Sequence, residues 1–198
     1  MWMSLCAAAL LVLGAMLGMA GRASAAEAPP RMRNAGYIWR IDADDVRGLP
    51  RNFRTMEDEF RASYKKDMDD SYVPTREGLE RLHASGSGEF SASGLHSLLE
   101  ALAEKTQMPI CIVDLREESH GFFDGIAVSW YGEHDWGNVG LTQEEALADE
   151  AERIHGAAGQ MTAVAHLGGE KNPLDEHEIF VEKAQTEKEL VEGAGLRY

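Results

Sequence analysis

Leucines at helical spacing predict an amphipathic helix in the middle of the chain. They recur at i, i+3, i+4 and i+7, which places them on one face, at Leu95, Leu98, Leu99 and Leu102. Ser91, just before them, is a good N-cap because its hydroxyl can accept a hydrogen bond from an unpaired backbone N–H of the first turn. The pattern therefore predicts a helix that begins after Ser91 and buries its leucine face.

Two Thr-x-x-Glu sequences predict the starts of two further helices. Thr142 with Glu145 and Thr186 with Glu189 have the spacing of a capping box, in which each residue binds the backbone N–H of the other. We expect the second of these helices to end at 193–195, because glycine readily adopts the left-handed conformation found after a helix C-terminus.

Runs of β-branched, aromatic and other apolar residues between the helices predict strands. Asp124-Gly125 is typical of a tight hairpin turn between two of them. Ile110–Leu115 is a continuous apolar run, which predicts a buried parallel strand containing a buried structural cysteine, Cys111. Helices that alternate with strands indicate an α/β domain. The other predicted strands are Tyr37–Ile41, Met161–Leu167 and Ile179–Val181.

The N-terminus has the pattern of a secretory signal peptide. Residues 5–20 are an uninterrupted apolar run, short for a membrane span of about twenty residues, and Ala23-Ser24-Ala25 is a small-x-small cleavage pattern. We therefore predict a signal peptide over 1–25, a mobile lead over 26–36, a folded domain over 37–198, and a periplasmic or secreted location. An uncleaved membrane anchor is the alternative.

The acidic composition of the chain argues against two classes of binding partner. The 198 residues carry 34 Asp and Glu against 19 Lys and Arg, a formal net charge of −15. That balance argues against sequence-independent binding to nucleic acid or to anionic lipid, since both rely on Lys and Arg. We expect no nucleic-acid partner, and no membrane partner once the signal peptide is removed.

Cysteine and histidine spacing identifies no catalytic or metal site. After cleavage Cys111 is the remaining thiol, and it stands in a Cys-x4-Arg sequence with Arg116, whereas cysteine phosphatases need Cys-x5-Arg to wrap backbone N–H groups around a phosphate. No two histidines are four residues apart, and the possible ligand pairs Glu118/His120 and His134/Asp135 lie beside predicted turns. We therefore predict no cysteine nucleophile, no metal and no cofactor. A pair of carboxylates for acid/base hydrolysis stays open, because no spacing rule identifies such a pair among 34 acidic residues.

Two polar stretches follow predicted strands and could be functional. Residues 114–121 place charged groups at the carboxyl end of a strand, where open α/β sheets bind ligands. Residues 130–136 place charges and a histidine between aromatic residues. Each stretch could instead be a hydrogen-bonded corner in which the charged side chains satisfy buried backbone groups.

These same stretches resemble the bacterial protein-tyrosine-phosphatase-like phytases, which are cysteine inositol polyphosphatases. The most specific part of the resemblance is DLREESHGFFDGIAVSWYGEHDW. The resemblance implies an α/β protein-tyrosine-phosphatase-like fold with a small partial β-barrel. It also implies metal-free hydrolysis of the phosphomonoesters of myo-inositol hexakisphosphate by a cysteine nucleophile. The resembling segments are Leu49–Thr55, Ser71–Leu79, Asp114–Trp136, Glu145–Ala157 and Gln185–Tyr198.

Part of the family pattern is missing. In such enzymes the general-acid Asp loop and the His-Cys-x5-Arg loop follow the segment that matches 195–198, so we expect the fold to be incomplete at the C-terminus and the chain to be inactive alone. Leu196–Tyr198 support the same expectation of an incomplete fold, because three residues are too few for the next central strand. The resemblance implies substrate-binding roles for Arg40 and Asp135. It gives none to Glu170, where the family has a histidine.

Three hypotheses remain open at this stage. The chain is a phytase-like phosphatase truncated by a frameshift, a premature stop or an incomplete gene model. Alternatively, it is a non-catalytic remnant or partner, made as it stands. The third hypothesis, an unrelated acidic periplasmic binding protein, rests on the signal peptide and the charge alone. The partner implied by the resemblance is a small-molecule inositol phosphate, provided that the missing C-terminal part completes the site.

Overall fold

Six strands form a mixed sheet that carries helices on both faces. The computed structural model describes residues 36–60, 74–132, 137–167 and 173–198, and the predicted signal peptide lies outside them. Gly36–Tyr198 form one compact unit. None of the helices within the described residues is long and apolar enough to cross a membrane.

The sheet has the strand order β7-β6-β1-β5-β4-β8. Its described strand pairs are antiparallel except for β1 with β6, which run parallel. A separate two-stranded sheet joins β2 (Arg54–Thr55) and β3 (Ser85–Gly86). The strands of the large sheet are β1 (Ile38–Ala43), β4 (His120–Phe123), β5 (Ile126–Tyr131), β6 (Met161–Ala165), β7 (His177–Phe180) and β8 (Ala184–Thr186).

The predicted hairpin at Asp124-Gly125 is confirmed and connects β4 to β5. Both turn residues have positive φ, 50° at Asp124 and 91° at Gly125, as a two-residue hairpin turn requires. The Asp124 carboxylate also accepts hydrogen bonds from the backbone N–H groups of Glu182 (3.0 Å) and Lys183 (2.7 Å). The carbonyl of Gly125 accepts one from the N–H of Ala92. The turn therefore contacts two segments that are distant in sequence.

All three predicted helices are present. The Ser91 hydroxyl accepts a hydrogen bond from the Gly94 N–H at 3.0 Å at the start of α1 (Ala92–Ala103). Complete capping boxes begin α2 (Gln143–Gly156) and α3 (Glu187–Gly193). Gly195, just beyond α3, has a φ of 79°, which is the left-handed conformation expected of it.

The first face of the sheet is apolar and packs against α2. Register pairs Trp39 with Trp130 and Ile41 with Val128, so these side chains share one face. Ile154 of α2 is fully buried against them. This cluster is the larger of the two apolar cores, and its buried members are Trp39, Ile41, Phe123, Val128, Ile154, Ala157, Val164 and Val181.

The second face is divided between apolar and charged residues. Phe122 and Ala127, which are register partners, pack with the leucines of α1 and with Val191 of α3. Arg40 and Ser129 are also register partners on this face, and the next pair along the same row is Ser129 with His120. Polar side chains therefore continue across the sheet where the apolar packing ends.

The prediction of a buried strand over Ile110–Leu115 is wrong. Cys111 makes a single parallel bridge to Arg197, and the Ile112 N–H donates to the Arg197 carbonyl at 2.8 Å. Val113 and Leu115 are 72% and 89% exposed, and Cys111 is exposed too, so it is not the buried structural cysteine that we predicted. A central strand needs a neighbour on each side, and within the described residues this segment pairs with Arg197 alone.

Candidate substrate-binding site

A network of charged side chains lies on the polar part of the second face. Arg40 of β1 and His120 of β4 reach it from the sheet, on either side of Ser129 of β5. Arg116 and Glu118 reach it from the segment just before β4. Glu187, the first residue of α3, completes the row next to His120. We call this group the charge network and include Asp42, Glu89, Asp114 and Glu150, whose contacts are described below.

Arg116 is the centre of the charge network. Its Nη1 donates to Glu89 Oε2 at 2.6 Å, its Nη2 to Asp42 Oδ2 at 2.9 Å, and its Nε to Glu118 Oε1 at 3.1 Å. Burial opposes the charge of the guanidinium, but the carboxylates of Asp42, Glu89 and Glu118 outweigh that effect and raise the pKa of Arg116. The planar guanidinium suits this role because it presents several donors in fixed directions.

Arg40 is held by the same carboxylates. Its Nε donates to Asp42 Oδ1 at 2.6 Å, and its Nη2 donates to Glu118 Oε1 at 3.2 Å. The guanidinium carbon lies 4.9 Å from the centre of the Tyr131 ring, within the range of a cation–π contact. These contacts fix the direction of the guanidinium, whose side chain retains 20% exposure.

His120 lies at the inner end of the network. Its Nδ1 is 2.8 Å from the Glu118 carbonyl oxygen, and its Nε2 is 2.9 Å from Glu187 Oε2. Burial lowers the pKa of His120, but the hydrogen bond to Glu187 outweighs this and raises it to about 9. The backbone N–H of His120 donates to Glu150 Oε2 at 3.0 Å, which connects α2 to the network.

The surroundings shift the pKa values of the carboxyl groups in the charge network in different directions. Burial alone would raise the pKa of Glu118, but Arg116 and then Arg40 bring it down to about 2, so Glu118 is ionised. Burial raises the pKa of Glu89, and the neighbouring Glu187 raises it further. Among the described residues, Glu89 Oε1 is buried without a hydrogen-bond partner. Burial likewise raises the pKa of Glu150.

The structure brings together part of the site predicted from the sequence. Residues 114–121 supply four members of the network, Asp114, Arg116, Glu118 and His120, and Arg40 joins them from β1. The predicted substrate-binding residue Asp135 lies outside the described residues, as does Glu170. Both residues therefore keep only their sequence-based interpretation.

Sequence reasoning missed four acidic members of the network, Asp42, Glu89, Glu150 and Glu187. Glu150 lies among other acidic residues of α2 and looks like a solvent-exposed helix position. Asp42 is two residues after Arg40 on β1 and so shares its face, a signal that alternation in a strand could have given. Glu187 follows the capping threonine Thr186 and looks like an ordinary acidic residue of a first helical turn. Glu89 stands alone before Ser91 and has no local signal. Their convergence depends on the tertiary fold.

The geometry defines an α/β protein whose mixed sheet presents a preorganised arginine beside a buried acidic network. No family model matches the chain. Over 94 residues it is 30% identical to the effector protein hopD2 of Pseudomonas syringae pv. tomato, an alignment that covers 46% of this chain and 20% of that protein. Because this alignment covers less than half of either protein, it does not by itself show the family of the chain.

Comparison with solved structures covers a much larger part of the chain than the effector alignment does. Two structures from Mitsuokella multacida each match with a TM-score of 0.76 and 46% sequence identity over 82% of this chain and 28% of theirs. One is a tandemly repeated protein tyrosine phosphatase like phytase. The other is a PTP-like myo-inositol phosphatase in complex with myo-inositol-(1,3,4,5)-tetrakisphosphate. A PTP-like phytase from Bdellovibrio bacteriovorus, 24% identical over 83% of this chain and 49% of its own, shares the fold with a TM-score of 0.50.

The chain is therefore a relative of the protein-tyrosine-phosphatase-like phytases, and the resemblance stated from its motifs is confirmed. The α/β fold class of that family is confirmed as well. The chain spans little more than a quarter of the length of the Mitsuokella proteins that it matches.

Proposed function

We propose that this chain provides the Arg40 side of an inositol phosphate-binding site in a phytase-like phosphatase. The observation that carries the proposal is the 46% identity, over 82% of the chain, to a myo-inositol phosphatase whose structure contains an inositol tetrakisphosphate. The structure of this chain supports it, because Arg40 is preorganised by Asp42, Glu118 and Tyr131. Guanidinium groups held in this way are suited to binding phosphate oxygens.

Asp135 is the second residue of the proposed site. It follows β5 by four residues in the sequence, and β5 carries the Tyr131 ring that Arg40 covers. A carboxylate repels phosphate but accepts hydrogen bonds from hydroxyl groups. We therefore assign to Asp135 the recognition of inositol hydroxyls, and to Arg40 the recognition of a phosphate.

We assign the hydrolysis itself to residues outside this sequence. The 198 residues contain no Cys-x5-Arg, and Cys111 reaches only Cys-x4-Arg. The proposal is therefore that this chain alone binds an inositol phosphate without releasing phosphate from it, in the periplasm or outside the cell. A non-catalytic acidic binding protein is the alternative for a chain that works as it stands.

Thermal unfolding with and without myo-inositol hexakisphosphate tests the binding proposal. A competent site raises Tm by mass action, and we expect Arg40→Gln to abolish the rise. The matched control is Arg47→Gln, because Arg47 is an exposed arginine bonded to the exposed Glu100. Absence of a shift in the unmodified chain, or an equal shift in the Arg40→Gln variant, would contradict the proposal.

Phosphate release tests the assignment of chemistry. We expect the purified chain to release no phosphate from myo-inositol hexakisphosphate or p-nitrophenyl phosphate. Release that survives Cys111→Ser but disappears in Arg40→Gln would show that the chain has a catalytic site of its own and would overturn the assignment.

A further inference from the structure

Three side chains with metal-ligating atoms converge at the inner end of the charge network. They are Glu89 before α1, His120 at the start of β4, and Glu187 at the start of α3, and one ligand atom from each lies within 4.8 Å of the others. We propose that these residues form a binding site for one divalent transition-metal ion of the Zn²⁺ type. The site is separate from the proposed phosphate-binding role of Arg40 and does not depend on it.

The orientation of His120 is the first argument. Its Nδ1 faces the Glu118 carbonyl oxygen at 2.8 Å, and because a carbonyl can only accept, Nδ1 carries a hydrogen. Histidines that bind a metal through one nitrogen almost always donate the other N–H to a carbonyl or carboxylate in this way. The nitrogen left for a metal is Nε2, which faces the Glu187 carboxylate at 2.9 Å. The ion would take the place of the proton between these two groups, and that proton is released to solvent.

The unpartnered oxygen of Glu89 is the second argument, and it is independent of the first. The side chain of Glu89 is only 9% exposed, and its Oε2 accepts from Arg116 at 2.6 Å. Its Oε1 is buried and has no hydrogen-bond partner in the part of the chain that the structure describes. Buried oxygens of this kind are rare and call for a ligand, a proton or an ion. A cation between Glu89, His120 and Glu187 would satisfy it.

The charge of the surroundings favours a dication over a single proton. Asp114 Oδ2 lies 3.6 Å from His120 Nε2, and Glu150 Oε2 lies 3.7 Å from His120 Nδ1. Carboxylates outnumber positive side chains in the charge network even when His120 is charged. A doubly charged ion removes more of that excess than one proton does. The network consists of Asp42, Glu89, Asp114, Glu118, Glu150 and Glu187 against Arg40, Arg116 and His120.

The donor set indicates the class of metal. One imidazole nitrogen and two carboxylates suit Zn²⁺ and similar transition-metal ions, whereas Ca²⁺ and Mg²⁺ prefer oxygen ligands alone. The ligands come from three separate segments of the chain, so the ion would cross-link the start of α3 to β4 and to the segment before α1. The role we assign to it is structural. The spacing rule used on the sequence looks for two histidines on one helix and could not detect such a site.

Calorimetric titration of the chelator-treated 198-residue chain with ZnCl₂ tests the site. We expect saturable binding of one ion per chain and a rise in Tm. Glu89→Gln should weaken binding by at least about tenfold while keeping the shape of the side chain, and His120→Gln should abolish it. The matched control is His155→Gln, because His155 and Glu189 form an exposed pair at 2.9 Å of the same chemistry.

The possible results distinguish specific binding at this site from nonspecific binding and from misfolding of a variant. No saturable Zn²⁺ binding by the unmodified chain overturns the proposal, as does Ca²⁺ binding in its place. Equal binding by Glu89→Gln and the unmodified chain, with loss in His155→Gln, identifies an adventitious ion only and also overturns it. If His120→Gln fails to fold by circular dichroism, Glu89→Gln decides, and X-ray absorption on the Zn²⁺-loaded chain must show imidazole coordination.

Discussion

The two faces of the six-stranded sheet are built from different physical interactions. On the first, Trp39, Ile41 and Val128 pack against Ile154 of α2, and the buried members of the cluster are all apolar. On the second, apolar packing around Phe122 gives way to the charge network. Apolar burial stabilises in proportion to area, whereas buried charges stabilise only when each has a partner. We conclude that apolar burial stabilises both faces, whereas the paired charges of the charge network, and with them the proposed binding sites, lie on the second face alone among the described residues.

The largest expected effect is the loss of the central cation of the charge network. Arg116→Leu leaves the carboxylates of Asp42, Glu89 and Glu118 without their main partner, so the free energy of unfolding should fall by about 3–5 kcal/mol. Urea denaturation at neutral pH measures the change. The control, Arg47→Leu, removes an exposed arginine and should change stability by no more than about 0.5 kcal/mol. Equal effects would mean that the network is not energetically distinct from the surface.

A smaller effect is expected on the first face from Gly121→Ala. An added Cβ would lie 2.6 Å from the Gln185 carbonyl oxygen and 2.9 Å from Ile154 Cδ1, so α2 must move or β8 must shift. We expect a loss of about 1–3 kcal/mol in chemical denaturation. Gly193→Ala is the matched control, because a Cβ there meets nothing within 4 Å. A neutral Gly121→Ala would show that α2 packs less closely than described.

Neighbouring residues of β5 give the sharpest test of the comparison. Val128 points to the first face and Ser129 to the second, and they are 1% and 0% exposed. Val128→Ala should cost about 2 kcal/mol in lost apolar burial. Ser129→Ala should be close to neutral or stabilising, because the buried Ser129 hydroxyl has no hydrogen-bond partner within the described ranges. Thermal or urea unfolding of the two variants compares them directly, and a large cost at Ser129 would reveal a partner for its hydroxyl.

The fold was predictable from the sequence where the signal is local. Capping boxes at Thr142 and Thr186 and the Asp124-Gly125 turn are encoded by residues a few positions apart, and each prediction is confirmed. The prediction of a buried strand over Ile110–Leu115 was wrong, because the burial of such a segment depends on neighbouring strands and not on its own composition. The charge network was partly predictable, since 114–121 supplies four members, but Glu89 and Glu187 reach it only through the tertiary fold.

The smallest expected effect concerns an exposed counterpart of His120. His166 Nδ1 lies 2.8 Å from Asp175 Oδ2, and this hydrogen bond raises the pKa of His166. The pair therefore stabilises the fold below the ordinary histidine pKa of about 6.5, and the contribution disappears as pH rises through the raised value. Asp175→Asn should lower the pKa of His166 in an NMR titration with little change in stability. An unchanged pKa would mean that Asp44, 3.4 Å from Nε2, is the main partner.

The turn between β4 and β5 has a consequence for the order of assembly. A hairpin closed by two residues forms quickly because little chain entropy is lost, while bringing Asp124 to Lys183 closes a loop of 59 positions. The turn carboxylate that receives the Glu182 and Lys183 N–H groups is therefore in place before its distant partners arrive. Because these contacts form after the turn, and because Asn also suits the turn position before Gly125, we expect Asp124→Asn to speed unfolding more than it slows refolding in stopped-flow measurements. The turn thus offers a preformed acceptor for the backbone of Glu182 and Lys183, the segment that leads into β8.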